Sequence, residues 1–356
     1  MLTSSGGEKQ NKAERWRRQM AKAVKLEDIA KKVGVSNVTV SKALADKSGV
    51  SEELRKKIKD LATQMGYIPI SAQKDKERKG TGNIGVIVPE RFIGHNTSFY
   101  WAIYQNLVTI LQAKGYYAIL EIIEMDAEEN CSLPNVLQDE KVDGIIVIGQ
   151  VFNHYSEFIW KNKQVPVIFL DFYDTHMEYD TIISDGFYGM YVLTDYLIKL
   201  GHREIGFVGT PLATSSITDR YFGYQKALME NNISVNQDWI IKDRDLDNVN
   251  IKLELPEKLP SAFACNNDFI ADFLIKLLEE RGLKVPEDVS VVGFDNYLYT
   301  NIFDASITTY DVDRYKMAEM SVKTLLRKIN HKDYVKGVQI ITGHMIVKET
   351  TSVKKS

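Results

Sequence analysis

The chain has 356 residues, 44% of them hydrophobic, with 8 prolines and 2 cysteines. That length predicts two or three domains, and the composition supports ordinary packed cores rather than a disordered or disulfide-stapled chain. The net charge of −3 hides an asymmetry: residues 1–80 hold 19 Lys/Arg against 10 Asp/Glu, a net of +9, so the remaining 26 against 38 give −12. A basic head on an acidic body points to a polyanion partner for the head alone, the duller reading being a solvated charged surface. No apolar run is long enough to span a membrane, and the N-terminus lacks the apolar core of a secretory signal. Cys131 and Cys265 are far apart in sequence and suggest neither a disulfide framework nor a redox pair, which fits a reducing cytoplasm.

In chain order, the first helical pattern is Leu26, Ile29, Ala30 and Val33, one face of a short helix. Gly34 ends it, as a residue free to take positive φ. Ser36 is a good N-cap for a second helix running to about Ala45, with Val40, Ala43 and Leu44 inward. Asn37, Val38, Ser41 and Lys42 then lie toward the other side. A third helix follows, capped by Ser51, with Leu54, Ile58, Leu61 and Met65 as its apolar stripe. Helix, glycine turn, helix is the geometry that places a second helix in a DNA major groove.

The string "VKLEDIAKKVGVSNVTVSKALADKSGVSEELRKKIKDLATQMGYIP" closely resembles the DNA-binding head of the lactose-repressor/galactose-repressor family of bacterial regulators. The landmarks are Asp28-Ile29-Ala30, Gly34-Val35-Ser36, Thr39-Val40-Ser41, Val50-Ser51 and Gly66-Tyr67-Ile68-Pro69. The resemblance implies base reading by Asn37, Val38 and Lys42, and phosphate contacts from Ser36, Thr39 and Ser41 that set register.

From Asn83 onward β-rich runs alternate with helical stretches. The strands expected are 83–89, 116–123, 144–149, 165–171, 181–184, 204–210, 261–265 and 289–295; the helices are 99–114, 185–200, 219–231, 268–281 and 312–329. This alternation predicts parallel sheets covered on both faces, split into two α/β subdomains with a cleft beyond the strands' carboxyl ends. "GTGNIG" (80–85) precedes a strand instead of joining one to a helix, so the dinucleotide reading fails. The six histidines have no metal-ligand spacing, and no catalytic motif or cofactor signature is present.

The body also resembles that family's periplasmic-binding-protein-like core, through "LGHREIGFVGT" (200–210), "DRYFGYQKAL" (219–228), "NDFIA" (267–271), "VPEDVSVVGFDN" (285–296) and "ITT" (307–309). The resemblance implies effector contacts at Phe99 and Tyr100 as aromatic cover, Arg220 on a ligand oxygen, and Asn267 and Asp295 at strand ends. Asp171 and Asp185 also stand at strand ends and join the candidate set, whereas Asp268 reads as a helix N-terminal anchor.

Together these readings give a small all-α helix-turn-helix head (24–70), a hinge (71–82) and an α/β periplasmic-binding-protein-like core of two parallel-sheet subdomains (83–352), with a short tail. The implied protein is a cytoplasmic repressor of double-stranded operator DNA, a homodimer or higher oligomer, controlled by a small effector. A sugar is the effector favoured, with a nucleobase or a protein co-regulator as alternatives. The hinge departs from the family: Ile70 follows the proline where asparagine is usual, and Lys76 replaces the leucine wedge, predicting weak operator bending or an unordered hinge. Residues 232–262 also depart, with a short strand-like run where a crossover helix is usual, which puts the subdomain's edge in doubt but not its cleft. Residues 1–23 have no family counterpart and read as a basic arm, a disordered tail, or a stretch upstream of a start at Met20.

Overall fold

The computed structural model describes residues 24–44, 46–67, 80–93, 98–174, 179–245, 251–297 and 306–355. The N-terminal extension and the connector with Ile70 and Lys76 lie outside the described residues. The chain divides into two compact units, one through residue 79 and one from Gly80.

The head is three helices, α1 (Leu26–Val33), α2 (Asn37–Leu44) and α3 (Glu52–Gln64). Gly34 stops α1 at φ +76°, its N–H donating to the Ala30 carbonyl at 2.9 Å. Ser36 caps α2 by accepting the Thr39 N–H at 3.1 Å. Ser51 holds the extended N-cap conformation of α3, but its hydroxyl makes no capping hydrogen bond. Arg55 does the anchoring there, donating to the Lys47 carbonyl at 2.9 Å and pairing with Asp46. Ile29, Ala30, Val40, Ala43, Ile58 and Ala62 are buried together and form the head's core.

In the body, the first sheet is parallel throughout, with order β11 (Val338–Ile341), β5 (Thr181–Ser184), β4 (Val167–Leu170), β3 (Gly144–Ile148), β1 (Asn83–Pro89), β2 (Tyr117–Ile123). The second is β7 (Ile240–Ile241), β6 (Ile205–Val208), β8 (Ala262–Cys265), β9 (Ser290–Val292), also parallel. β10 (Thr309–Asp311) and β12 (His344–Ile346) make a separate antiparallel pair. The helices are α4 (Phe99–Ala113), α5 (Met125–Glu129), α6 (Asn135–Gln138), α7 (Asn153–Asn162), α8 (Gly186–Lys199), α9 (Ser215–Glu230), α10 (Asp268–Glu280) and α11 (Arg314–Ile329). β3 and β4 are buried along their whole length, as parallel strands covered on both faces must be.

The chain passes between the two sheets three times. It leaves the first after β5 into α8, which packs on α9 of the second. It returns after β10 into α11, which packs on α4 and the first sheet. It crosses again from β11 to β12. Besides these three crossings, one buried apolar cluster, with Ile84 and Ile146 of the first sheet and Phe207 and Val292 of the second, runs through both subdomains.

Several elements differ from the sequence reading. α9 begins at Ser215, not 219, because Thr214 accepts the Ile217 N–H at 3.1 Å and caps a turn that its polar residues disguise. β7, β10, β11 and β12 carry no alternation long enough to read. The run expected to be strand-like forms none over its described part, residues 251–261; Pro256 and Pro260 lack the N–H a ladder needs, and Leu253 is buried instead.

Candidate functional site

On the head, Ser36, Asn37, Val38, Ser41 and Lys42 are exposed and Thr39 is half-buried. Val38 is 62% exposed. The Ser36 and Thr39 hydroxyls lie 2.9 Å apart and satisfy each other at the helix start. Asn37, Val38 and Lys42 therefore form the outward face of α2, opposite the buried Val40 and Ala43.

In the body, Tyr100, Asp171, Arg220 and Asp295 come together between the sheets. Tyr100, in the first turn of α4, donates its hydroxyl to Asp171 Oδ2 at 2.9 Å. Ser184 donates to the other Asp171 oxygen at 3.3 Å. Across the cleft, Arg220 donates to the Asn266 carbonyl at 2.5 Å and pairs with Asp295 at 3.1 Å, its guanidinium 4.0 Å from the Phe294 ring centre. Phe99 packs edge-on against Tyr100 and against Tyr297, centroids 5.4 and 6.3 Å apart. Asp171 and Asp295 hold left-handed φ of +68° and +97°, a strain of about 1–3 kcal/mol each that tends to mark ligand sites.

Burial dominates the electrostatics. It pushes the Asp171 carboxyl up to about 6, against the pull of Arg220 and with the help of Asp295's charge. It raises Asp295 too, with Arg220, Arg314 and Arg244 opposing. The Tyr100 hydroxyl is pushed well above its ordinary value by burial and then by the charge of Asp171.

Two candidates are otherwise engaged. Asp185 caps α8, accepting the Tyr188 N–H at 3.1 Å. Asn267 caps α10, accepting the Ile270 N–H at 2.8 Å, and its amide donates to Asn266 at 2.9 Å. Asp268 does sit in the first turn of α10, but its carboxylate also accepts the Tyr297 N–H at 2.9 Å, and burial lifts it to about 8.

The structure adds residues that sequence reasoning missed. The Ser215 N–H donates across the cleft to Gln150 Oε1 at 3.0 Å, and the Tyr173 hydroxyl to Asp219 at 2.5 Å. Arg91, paired with buried Glu128, fixes the Gln150 backbone by donating to its carbonyl at 2.6 Å. Arg244 stands just beyond β7, paired with Asp243 at 2.6 Å and close enough to Asp295 to act on its carboxyl. Arg244, within the stretch that departs from the family, thus stands beside the cleft. Gln150, Tyr173 and Arg244 all follow strand ends, where ligands of such sheets bind, and that rule could have found them. Among the described residues no group of three His, Cys, Asp or Glu could hold a metal ion, and no helix is long and apolar enough to cross a membrane.

A helix-turn-helix head on a two-sheet binding core defines a DNA-binding regulator of transcription. Residues 25–70 match the bacterial regulatory proteins of the lacI family, and residues 194–351 match the periplasmic binding protein-like domain. The chain belongs to the lacI family, the lactose-repressor/galactose-repressor regulators. The HTH-type transcriptional repressor PurR of Vibrio campbellii is 27% identical over 335 residues, covering 93% of this chain and 98% of that one. The lac repressor dimer bound to operator and the anti-inducer ONPF superposes with a TM-score of 0.66 at 24% identity, covering 93% of this chain and all of that one. The transcriptional regulator CelR in complex with cellobiose gives 0.66 at 20% identity, over 92% and 99%.

Proposed function

We propose that this chain is a cytoplasmic, homodimeric transcriptional repressor, and no enzyme, whose operator affinity is set by a sugar held between its two subdomains. The observation that carries the sugar is the convergence of aromatic faces with hydroxyl-binding groups. Phe99 and Tyr297 offer apolar cover, while Tyr100, Asp171, Arg220 and Asp295 offer donors and acceptors anchored on both subdomains. The cellobiose complex of CelR supports the same ligand class. Asn37, Val38 and Lys42 read bases from the exposed face of α2, and Ser41 meets phosphate. Ser36 and Thr39 serve the start of that helix first and touch phosphate from there. Asp185 and Asn267 shape the cleft as caps.

Control follows from geometry. Gln150 and Tyr173 of the first subdomain hold the first turn of α9 in the second, through Ser215 and Asp219. A ligand touching both Asp171 and Arg220 favours that closed arrangement over an open one, and it shifts the equilibrium only by its difference in affinity for the two. A flat heterocycle such as a nucleobase is the second reading, favoured by the Phe99 and Tyr297 rings on which it would pack.

The test is a thermal-shift screen of the full chain against sugars and nucleobases, followed by DNA binding with each hit. A sugar that raises the melting temperature, loses that effect with Tyr100→Phe, and changes DNA affinity supports the proposal. Stabilisation by nucleobases alone contradicts the sugar reading.

A further inference from the structure

The three arginines around Asp295 are not equivalent. Arg220 is neutralised by Asp295 at 3.1 Å, and Arg244 by Asp243 at 2.6 Å. Arg314 has no carboxylate within ion-pair distance among the described residues, although its charge is felt at Asp295. It is held by two backbone oxygens instead: Nη1 donates to the Asp295 carbonyl at 2.8 Å and reaches the Asn296 carbonyl at 3.5 Å. Its guanidinium lies 5.1 Å from the Tyr297 ring centre and 6.0 Å from that of Phe99. The nearby acids are engaged elsewhere. Asp313 caps α11 by accepting the Lys316 N–H at 2.8 Å, and Asp311 accepts the Asn296 amide at 2.8 Å.

A guanidinium has five N–H donors in a planar fork. Here one nitrogen is tied to carbonyls, while Nε and Nη2 have no protein acceptor among the described residues. That leaves a half-buried, oriented, full positive charge beside the proposed aromatic subsite. A fork placed this way suits the bidentate recognition of a carboxylate or phosphate. The placement also links the subdomains: Arg314 opens α11 on the first, its carbonyl anchors belong to the second, and Phe99 and Tyr297 flank it from one side each.

We infer that the effector carries an anionic group, a carboxylate or a phosphate on a sugar skeleton, and that Arg314 is the residue that selects it. This inference rests on the cleft being the effector site and narrows the ligand class within that reading. A neutral sugar would leave the Arg314 fork unmatched while burying it further, which costs affinity.

The test is isothermal titration of the full-length protein with a panel of aldoses, their 6-phosphates, their aldonic acids and inorganic phosphate, on the wild type, Arg314→Gln and Arg314→Lys. The expected result is that an acidic sugar binds, that Arg314→Gln weakens it by about tenfold to a hundredfold, and that Arg314→Lys recovers part of the loss. The 6-phosphates and aldonic acids tell phosphate from carboxylate. If an aldose binds as tightly as its charged relatives and ignores Arg314→Gln, the anion inference is wrong and the sugar reading stands. If inorganic phosphate alone binds, in an Arg314-dependent way, the anion site stands and the sugar reading falls. If nothing on the panel binds a folded protein, both fall. A purely structural Arg314 is recognised separately, because Arg314→Gln would then lower the melting temperature without ligand and leave relative affinities across the panel unchanged.

Discussion

Asp171 accepts the Tyr100 hydroxyl while burial holds its carboxyl near 6, so its charge changes close to neutral pH. Only the ionised form offers acceptors on both oxygens. Affinity for a sugar hit should therefore rise about tenfold between pH 5 and pH 7.5, and Asp171→Asn should flatten that profile; calorimetric titration at several pH values reads it. Asp268 makes a stability prediction of definite sign. Its folded value is raised to about 8, so the native state binds a proton that the unfolded chain has released. Its contribution to stability is present below the ordinary carboxylate range and is lost as pH rises toward 8. Melting temperatures of the wild type should fall more than those of Asp268→Asn between pH 5 and pH 8.5. At this scale the sequence was partly legible. Tyr100, Asp171, Arg220 and Asp295 meet in one cluster, and Phe99 stands at its edge. Arg314 escaped because nothing local distinguishes a cleft arginine from a solvated one; its meaning lies in having no carboxylate within ion-pair distance among the described residues, which only the fold shows.

Helices α8 and α9 place Arg220 by packing at close range. A Cβ on Gly223, one turn after Arg220, would collide with the Phe187 carbonyl oxygen of α8. That oxygen belongs to a helix backbone and cannot swing away. Gly223→Ala should thus destabilise the body by about 3 kcal/mol, at the upper end of ordinary overpacking, as read by chemical denaturation. In the head, Gly34 sits at φ +76° with open space around its Cβ position, so Gly34→Ala costs conformation alone. A loss of about 1–2 kcal/mol is expected, seen as faster amide exchange in the α1–α3 core of the full chain. Glycine at the turn was readable from its place between two apolar stripes. The close approach at Gly223 was not, because it depends on which helix lies opposite. The long β-branched runs such as "GIIVIG" were legible for the same physical reason that they are buried on both faces, whereas β11 was not, since its exposed Val338 and Ile340 belong to an edge.

At the level of the whole molecule, three crossings, a few cross-cleft hydrogen bonds and one buried apolar cluster that runs through both subdomains connect the two sheets. The Tyr173–Asp219 and Gln150–Ser215 contacts are small terms, each of about 1 kcal/mol, yet terms of that size bias a two-state hinge. Tyr173→Phe should weaken effector binding about fivefold with little change in unliganded melting temperature, and calorimetry with small-angle scattering would detect it. The two subdomains were foreseeable from the number of strands; the return of the chain through α11 and β11 was not, because crossings leave no periodic mark. Effector-controlled, sequence-specific DNA binding is open to selection of duplexes from a random pool by the full-length protein. A two-fold symmetric site is expected, bound in a manner that Asn37→Ala or Lys42→Ala weakens by about tenfold to a hundredfold and that a cleft ligand alters. Enrichment of no sequence, or a site whose affinity ignores both substitutions, would contradict it.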